Sequence, residues 1–142
     1  MLVNTSYNDK KTTSRINEIL GRPFSILENF KLNGIGSPRL IIVKSSEQIH
    51  QLLSLDHNLN WCNIELRPKG IIIGFRSLLE SYSLVIPYYK LVIYKPGNSY
   101  TFHIDQHYIT VDNSIPNKKF SNFMEKLMRL KTENLPTSID EL

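Results

Sequence analysis

Short apolar stretches with a spacing of two run through the middle of the chain, a pattern typical of β-strands. Cys62, Ile64 and Leu66 alternate with two polar residues, which predicts a strand from residue 61 with one buried and one wetter face. A turn at Arg67–Gly70 contains a proline suited to its first central position, and the chain returns through Ile71–Phe75. Further strands are predicted at Tyr82–Ile86, Leu91–Tyr94, Tyr100–Ile104 and Tyr108–Val111, with Leu40–Val43 earlier in the chain.

The clearest helical pattern follows Pro116, where Asn117 can cap a helix. Its apolar residues recur at spacings of three and four and form one stripe: Phe120, Phe123, Met124, Leu127 and Leu130. The other face carries Lys118, Lys119, Lys126 and Lys131. We therefore predict a C-terminal amphipathic helix, over about residues 117–131, that packs on the sheet with its cations toward solvent.

One or two short helices are predicted before the strands. The first spans residues 14–20 and ends at Gly21, and the second opens at Ser45, which has Gln48 three residues on. The stretch Phe24–Phe30 fits alternating and helical spacings equally well. The predicted fold class is α+β, with an antiparallel meander or partly open barrel of six to seven strands and a C-terminal helix on it.

A single domain is predicted over residues 14–131, because no internal repeat or low-complexity tract divides the chain. Residues 1–13 are polar and are expected to be mobile, since they lack the apolar side chains that offset the entropy of ordering. Residues 132–142 are polar and interrupted by Pro136, and are expected to form a loose tail.

Composition and charge narrow the class of protein. The chain has 142 residues, 41% of them apolar, and a net charge of +4 without a long basic run, which predicts a packed core and a mixed surface. Cys62 is the only cysteine, so no intrachain disulfide can form. The N-terminus has no apolar run of signal-peptide length, and no stretch is long enough to span a bilayer. These features favour a cytoplasmic location.

The order of a strand meander and one C-terminal helix resembles the pleckstrin-homology-like superfold over about residues 60–131, or from residue 40 if Leu40–Val43 is included. The segment Val85–Leu91 is similar to an "IPY, two residues, aliphatic" stretch of bacterial pleckstrin-homology-like and GRAM-like domains. The resemblance implies two nearly orthogonal sheets that form a barrel, with the helix plugging an open corner. It also implies binding without catalysis, of phosphoinositides, peptides or other proteins.

The same resemblance indicates a binding surface. Lipid-binding members carry basic residues on and after the first hairpin loop, where this chain has Lys69 and Arg76, with Arg67 beside them. Gly74 stands where those members carry a further basic residue. We therefore predict a ligand-binding rim formed by Arg67, Lys69 and Arg76.

The residues are also compatible with two other kinds of function. His103, Asp105 and His107 could serve a small metal-dependent hydrolase, although alternate strand positions span about 13 Å unless the chain turns. The basic region 31–76 and the strand tyrosines could bind nucleic acid by stacking on bases. These tyrosines, which interleave with Lys90 and Lys95, are Tyr82, Tyr88, Tyr89, Tyr94, Tyr100 and Tyr108.

The sequence favours a non-catalytic interaction module. No G-x-S-x-G elbow, phosphate-binding loop or compact set of metal ligands is present, so no enzyme activity, metal or cofactor is predicted. The expected partner is a protein or peptide, with an acidic ligand or lipid headgroup as a variant of that hypothesis. Nucleic acid and peripheral membrane contact are the alternatives.

Overall fold

The computed structural model describes residues 1–55 and 60–134, which form four α-helices and eight β-strands. The helices are α1 (Lys10–Leu20), α2 (Ile26–Lys31), α3 (Glu47–Ser54) and α4 (Lys118–Glu133). The strands are β1 (Leu2–Asn4), β2 (Leu40–Ser45), β3 (Trp61–Arg67), β4 (Gly70–Ser77), β5 (Glu80–Pro87), β6 (Val92–Tyr94), β7 (Ser99–Ile104) and β8 (His107–Asp112). The fold class is α+β, as predicted, with eight strands where six to seven were expected.

The eight strands form one antiparallel sheet in the order β1-β5-β4-β3-β2-β8-β7-β6. β3, β4 and β5 make one meander, and β6, β7 and β8 make a second. The predicted meander is not continuous, because β5 and β6 are not neighbours and β2 lies between the two meanders. The sheet is not closed, since β1 and β6 form its edges.

β2 joins the two meanders by changing partner along its length. Leu40 and Ile41 pair with β3, whereas the strand pairs with β8 from Ile42 onward, with a register shift between Ile42 and Lys44. Such a bulge bends a strand and increases its twist. The N-cap of α3 is Ser46, not the predicted Ser45, because Ser45 still pairs with β8.

The core lies on one face of the sheet, called here the inner face, where α4 packs. All five residues of the predicted α4 stripe belong to it: Phe120, Phe123, Met124, Leu127 and Leu130. The predicted cap is also confirmed, since Asn117 Oδ1 accepts a hydrogen bond of 2.9 Å from the amide of Lys119. Ile49 and Leu53 bring α3 into the same core. From residue 135 onward, the predicted tail lies outside the described residues.

The N-terminal residues, which the sequence predicts to be mobile, carry regular structure. β1 pairs with β5 at the edge of the sheet, with Leu2 opposite Leu84. Asp9 caps α1, which therefore begins at Lys10 and not at residue 14. α1 lies on the outer face of the sheet, where Ile16 and Leu20 form a second apolar cluster with Val85.

Candidate ligand groove on the outer face of the sheet

The three residues of the predicted rim do not come together. Arg67 is buried, with 8% of its surface exposed, so it is not available to a ligand. Lys69 and Arg76 are exposed but lie at opposite ends of β4. At about 3.3 Å per residue, the length of that strand separates them by about 20 Å. The three residues therefore do not form one continuous basic rim.

Arg67 links α1 to the sheet through hydrogen bonds. Its Nη1 donates hydrogen bonds to the backbone oxygen of Gly21, at 2.8 Å, and to Oδ1 of Asn17, at 3.1 Å. Its Nε donates to Glu65 Oε2 at 2.6 Å. A guanidinium is well suited to this place, because the carbonyl groups at a helix C-terminus lack partners and carry partial negative charge. Arg67 thus has a structural role that explains its burial.

Only part of the outer face lies beneath α1. On β3, β4 and β5, every second side chain points to the outer face. Along the strands, these outward residues change from apolar or charged to small or polar. Ile72 and Val85 are paired, and both pack against the α1 cluster. One step along the sheet, Asn63, Gly74 and Ser83 form the next outward row, and α1 does not cover it. We call these two regions the covered half and the open half of the outer face.

The open half holds a groove of about 420 Å³. Its lining residues come from β3, β4, β5 and the segments beside them: Thr5, Ser37, Arg39, Trp61, Cys62, Asn63, Gly74, Phe75, Arg76, Ser81, Tyr82 and Ser83. A depression of about 600 Å³ lies near the start of α4, but Asn117 already bonds the first amides of that helix. The groove is therefore the stronger candidate for a ligand site.

Gly74 gives the groove its depth. It stands between Asn63 and Ser83 in the sheet register, at an outward position where any other residue would project into the groove. A Cβ at this position would lie 3.2 Å from Asn63 Oδ1 and would meet no other atom outside the adjacent residues within 4 Å. A larger side chain would fill the floor of the groove, so the absent side chain leaves space for a ligand.

The charge of the groove is positive. Arg39 and Arg76 are exposed cations, and its twelve lining residues include no aspartate or glutamate. The Arg39 guanidinium carbon lies 5.0 Å from the centre of the Trp61 ring, within cation–π distance. Within the described part of the chain, neither arginine forms an ion pair with a carboxylate. Both guanidinium groups are thus available to an anionic group, since arginine binds carboxylates in a bidentate manner.

The residues considered for metal chemistry lie apart. Asp105 is in the turn of the β7–β8 hairpin and forms an ion pair of 3.7 Å with Lys90. His107 is opposite Ile104 in the register, so its side chain lies on the inner side, whereas His103 projects from the outer side. Among residues 1–55 and 60–134, no three His, Cys, Asp or Glu side chains are close enough to hold a metal ion.

Cys62 is buried and is a poor candidate for a nucleophile. Its thiol faces the core directly beneath the groove and is 3% exposed. Burial raises the pKa of this thiol to about 12, so it remains protonated near neutral pH. A protonated, buried thiol is a poor nucleophile.

The strand tyrosines do not share one surface. Tyr88 is buried, and its hydroxyl donates a hydrogen bond of 3.0 Å to the backbone oxygen of Arg67. Tyr82 stacks on Phe75, and Tyr100 packs edge-on against Phe120, both toward the core. Tyr94 and Tyr108 remain on the outer side of the second meander, on either side of His103.

Sequence reasoning missed Arg39 and Trp61. The signal that could have found the groove is the change at outward strand positions, where Ile72 gives way to Gly74 and Val85 to Ser83. Comparisons with protein-family models, with curated proteins and with solved structures find no match to the chain. Within the described ranges, no helix combines the length and apolar character needed to cross a bilayer.

Proposed function

We propose that this protein is a non-catalytic interaction module whose groove binds an acidic segment of a protein partner. The observation that carries the proposal is the pair of arginines, Arg39 and Arg76, in a groove lined by no carboxylate. Carboxylates of a partner would meet the two guanidinium groups, and an apolar or aromatic side chain beside them would contact Trp61. The exposed Asn63 amide supplies further hydrogen bonds.

A pleckstrin-homology-like architecture is part of this proposal. The order of β2 to β8 supports it: four strands run β5-β4-β3-β2, three run β8-β7-β6, and both groups meet at β2. The final helix, α4, packs on the core that the two groups enclose. β1 and the helices α1, α2 and α3 are additions to that frame.

The groove provides its own reporter, because Trp61 is the only tryptophan of the chain. A glutamate-rich peptide that contains neither tryptophan nor tyrosine is titrated into the protein, and the fluorescence emission of Trp61 is recorded. We expect a saturable change that weakens at higher salt, since the contacts are charge-assisted. A peptide with glutamine in place of glutamate is the matched ligand control.

Two variants locate the site. Replacing Arg39 and Arg76 together by Ala should weaken binding at least about tenfold, because charge-assisted hydrogen bonds contribute about 1.5–3 kcal/mol each. Lys69→Ala removes an exposed cation at the other end of β4 and should leave affinity unchanged. Equal loss in Lys69→Ala would return the site to the β3–β4 turn, and unchanged binding in the double variant would reject the groove.

Nucleic-acid binding is a second candidate, and one observation favours it. Tyr94, His103 and Tyr108 lie in contact across three strands, with ring centres 6.3 Å and 6.2 Å apart. Such a row can stack on unpaired bases. Binding of oligothymidylate that is lost in Tyr94→Ala and retained in Arg39→Ala would support this candidate over the groove.

A further inference from the structure

The amphipathic character of α2 is inverted, because its apolar side chains point away from the protein. Ile26, Leu27 and Phe30 are 91%, 63% and 81% exposed, and no residue of the helix is buried. At about 100° per residue, these three side chains share one arc of the helix. Asn29, a polar residue, is the one that is partly buried. The helix α2 therefore exposes its three apolar side chains to solvent.

This exposure belongs to an ordered helix. Ser25 and Glu28 form a reciprocal capping box at its start, with hydrogen bonds of 3.2 Å and 3.1 Å. At its end, the amide of Gly34 donates to the backbone oxygen of Asn29. Phe24 before the helix and Ile35 after it both pack against the main core. The anchored flanks hold the apolar residues outward.

Three cations lie on α2 or close to its ends. Lys31 lies on the helix next to the apolar arc, and Arg22 precedes the helix, both exposed. Lys126 of α4 is held beside the end of α2, where its ammonium donates to the backbone oxygens of Asn33 and Gly34 at 3.3 Å and 3.0 Å. Glu28, the only acidic residue of α2, is turned to the opposite side and bonded to Ser25. The surface therefore complements an anionic partner.

We propose that α2 docks on an anionic membrane surface, with Ile26, Leu27 and Phe30 inserted into the interfacial layer. Arg22, Lys31 and Lys126 then lie near the lipid headgroups. A membrane suits these residues because they protrude, whereas a protein partner would need a matching cleft. A few apolar side chains or a few cations bind bilayers weakly alone, but the two together reinforce each other. The inference goes beyond the proposed groove function and uses none of its residues.

Vesicle sedimentation tests the proposal. The protein is mixed with vesicles of phosphatidylcholine alone and with vesicles that also contain phosphatidylserine. We expect binding to the anionic vesicles and little to the neutral ones. Replacing Leu27 and Phe30 together by Gln should reduce the partition coefficient about tenfold or more, because it removes most of the inserted apolar surface. Arg22→Gln and Lys31→Gln should each reduce it about fivefold.

The matched control replaces two equally exposed apolar residues elsewhere, Leu79 and Ile115, by Gln. This control should bind like the wild type, and all variants should melt at the wild-type temperature. Wild-type protein that stays in solution with anionic vesicles would overturn the proposal. So would equal binding to neutral vesicles, or a loss in the control as large as in the α2 variant. A protein captured through Leu27 and Phe30 without vesicle binding would assign the surface to a protein partner instead.

Discussion

The covered and open halves of the outer sheet face are built from the same three strands, yet α1 packs only on the covered half. In the covered half, Ile72 and Val85 pack against α1, and Arg67 bonds the end of that helix. In the open half, Gly74 and Ser83 occupy the equivalent outward positions, with Arg76 beside them, and no helix of the described residues lines this groove. A change of two residues along each strand therefore separates a packed surface from a groove.

This difference shows how a charge takes its role from its position in the fold. Arg67 and Arg76 both lie at outward strand positions, but only Arg67 lies under a helix end whose carbonyl groups need donors. Arg76 has no such neighbour and remains exposed. If this division into halves is correct, the same substitution should affect stability and ligand binding differently in the covered half and in the open half.

The largest difference is expected for a pair of glycines on β4. A Cβ at Gly70 would lie 2.3 Å from the backbone oxygen of Ile86 and 2.4 Å from Leu20 Cδ2, so Gly70→Ala must move the backbone or α1. We expect it to lower the free energy of unfolding by about 3 kcal/mol or more. Gly74→Ala should change it by less than about 1 kcal/mol, because only the Asn63 amide must adjust. Urea denaturation measures both, and equal losses would contradict the division into halves.

A pair of arginines gives the next largest difference. Arg67→Ala removes two hydrogen bonds that join the sheet to α1 and its C-cap, and one to Glu65 within β3. It should cost about 2–3 kcal/mol in the free energy of unfolding. Arg76→Ala should stay within about 0.5 kcal/mol, as is usual at exposed sites. Thermal melts compare the two, and Arg67→Lys tests whether the forked guanidinium itself is needed. If Arg76→Ala were as destabilising as Arg67→Ala, the groove arginine would be structural.

A smaller effect is expected when pH is raised, because the buried thiol of Cys62 lies in the core beneath the open half. The folded pKa of the Cys62 thiol, about 12, lies above that of an unfolded chain, so folding disfavours the thiolate. The stability that this thiol contributes is present at neutral pH and is lost as pH rises above the unfolded pKa. The loss should reach about 1.5–2 kcal/mol near pH 10. Denaturation at pH 7 and pH 10 measures it, with Cys62→Ala as control, since the variant should lack this component.

Much of the fold follows from local patterns, whereas the groove does not. The alternation of Cys62, Ile64 and Leu66 and the helical stripe around Phe123 predicted their elements because each pattern lies within one element. The burial of Arg67 could not be predicted, because it depends on Gly21, the C-cap residue of a helix that ends 46 positions earlier. Arg67 stands directly before Pro68 in a predicted turn, a position that is typical of exposed residues. α2 was ambiguous for another reason, since its apolar residues face outward and do not mark a core.

β2 also has a consequence for the order in which the chain can fold. One end of this strand pairs with β3, which follows it closely, but the other end pairs with β8, and Ile42 and Val111 are almost seventy positions apart. Pairings between such distant residues slow folding, because a long loop must close first. During synthesis, the first meander can form while half of β2 still has an unpaired edge. That edge should be the segment most prone to wrong pairing until β8 emerges and joins the two meanders.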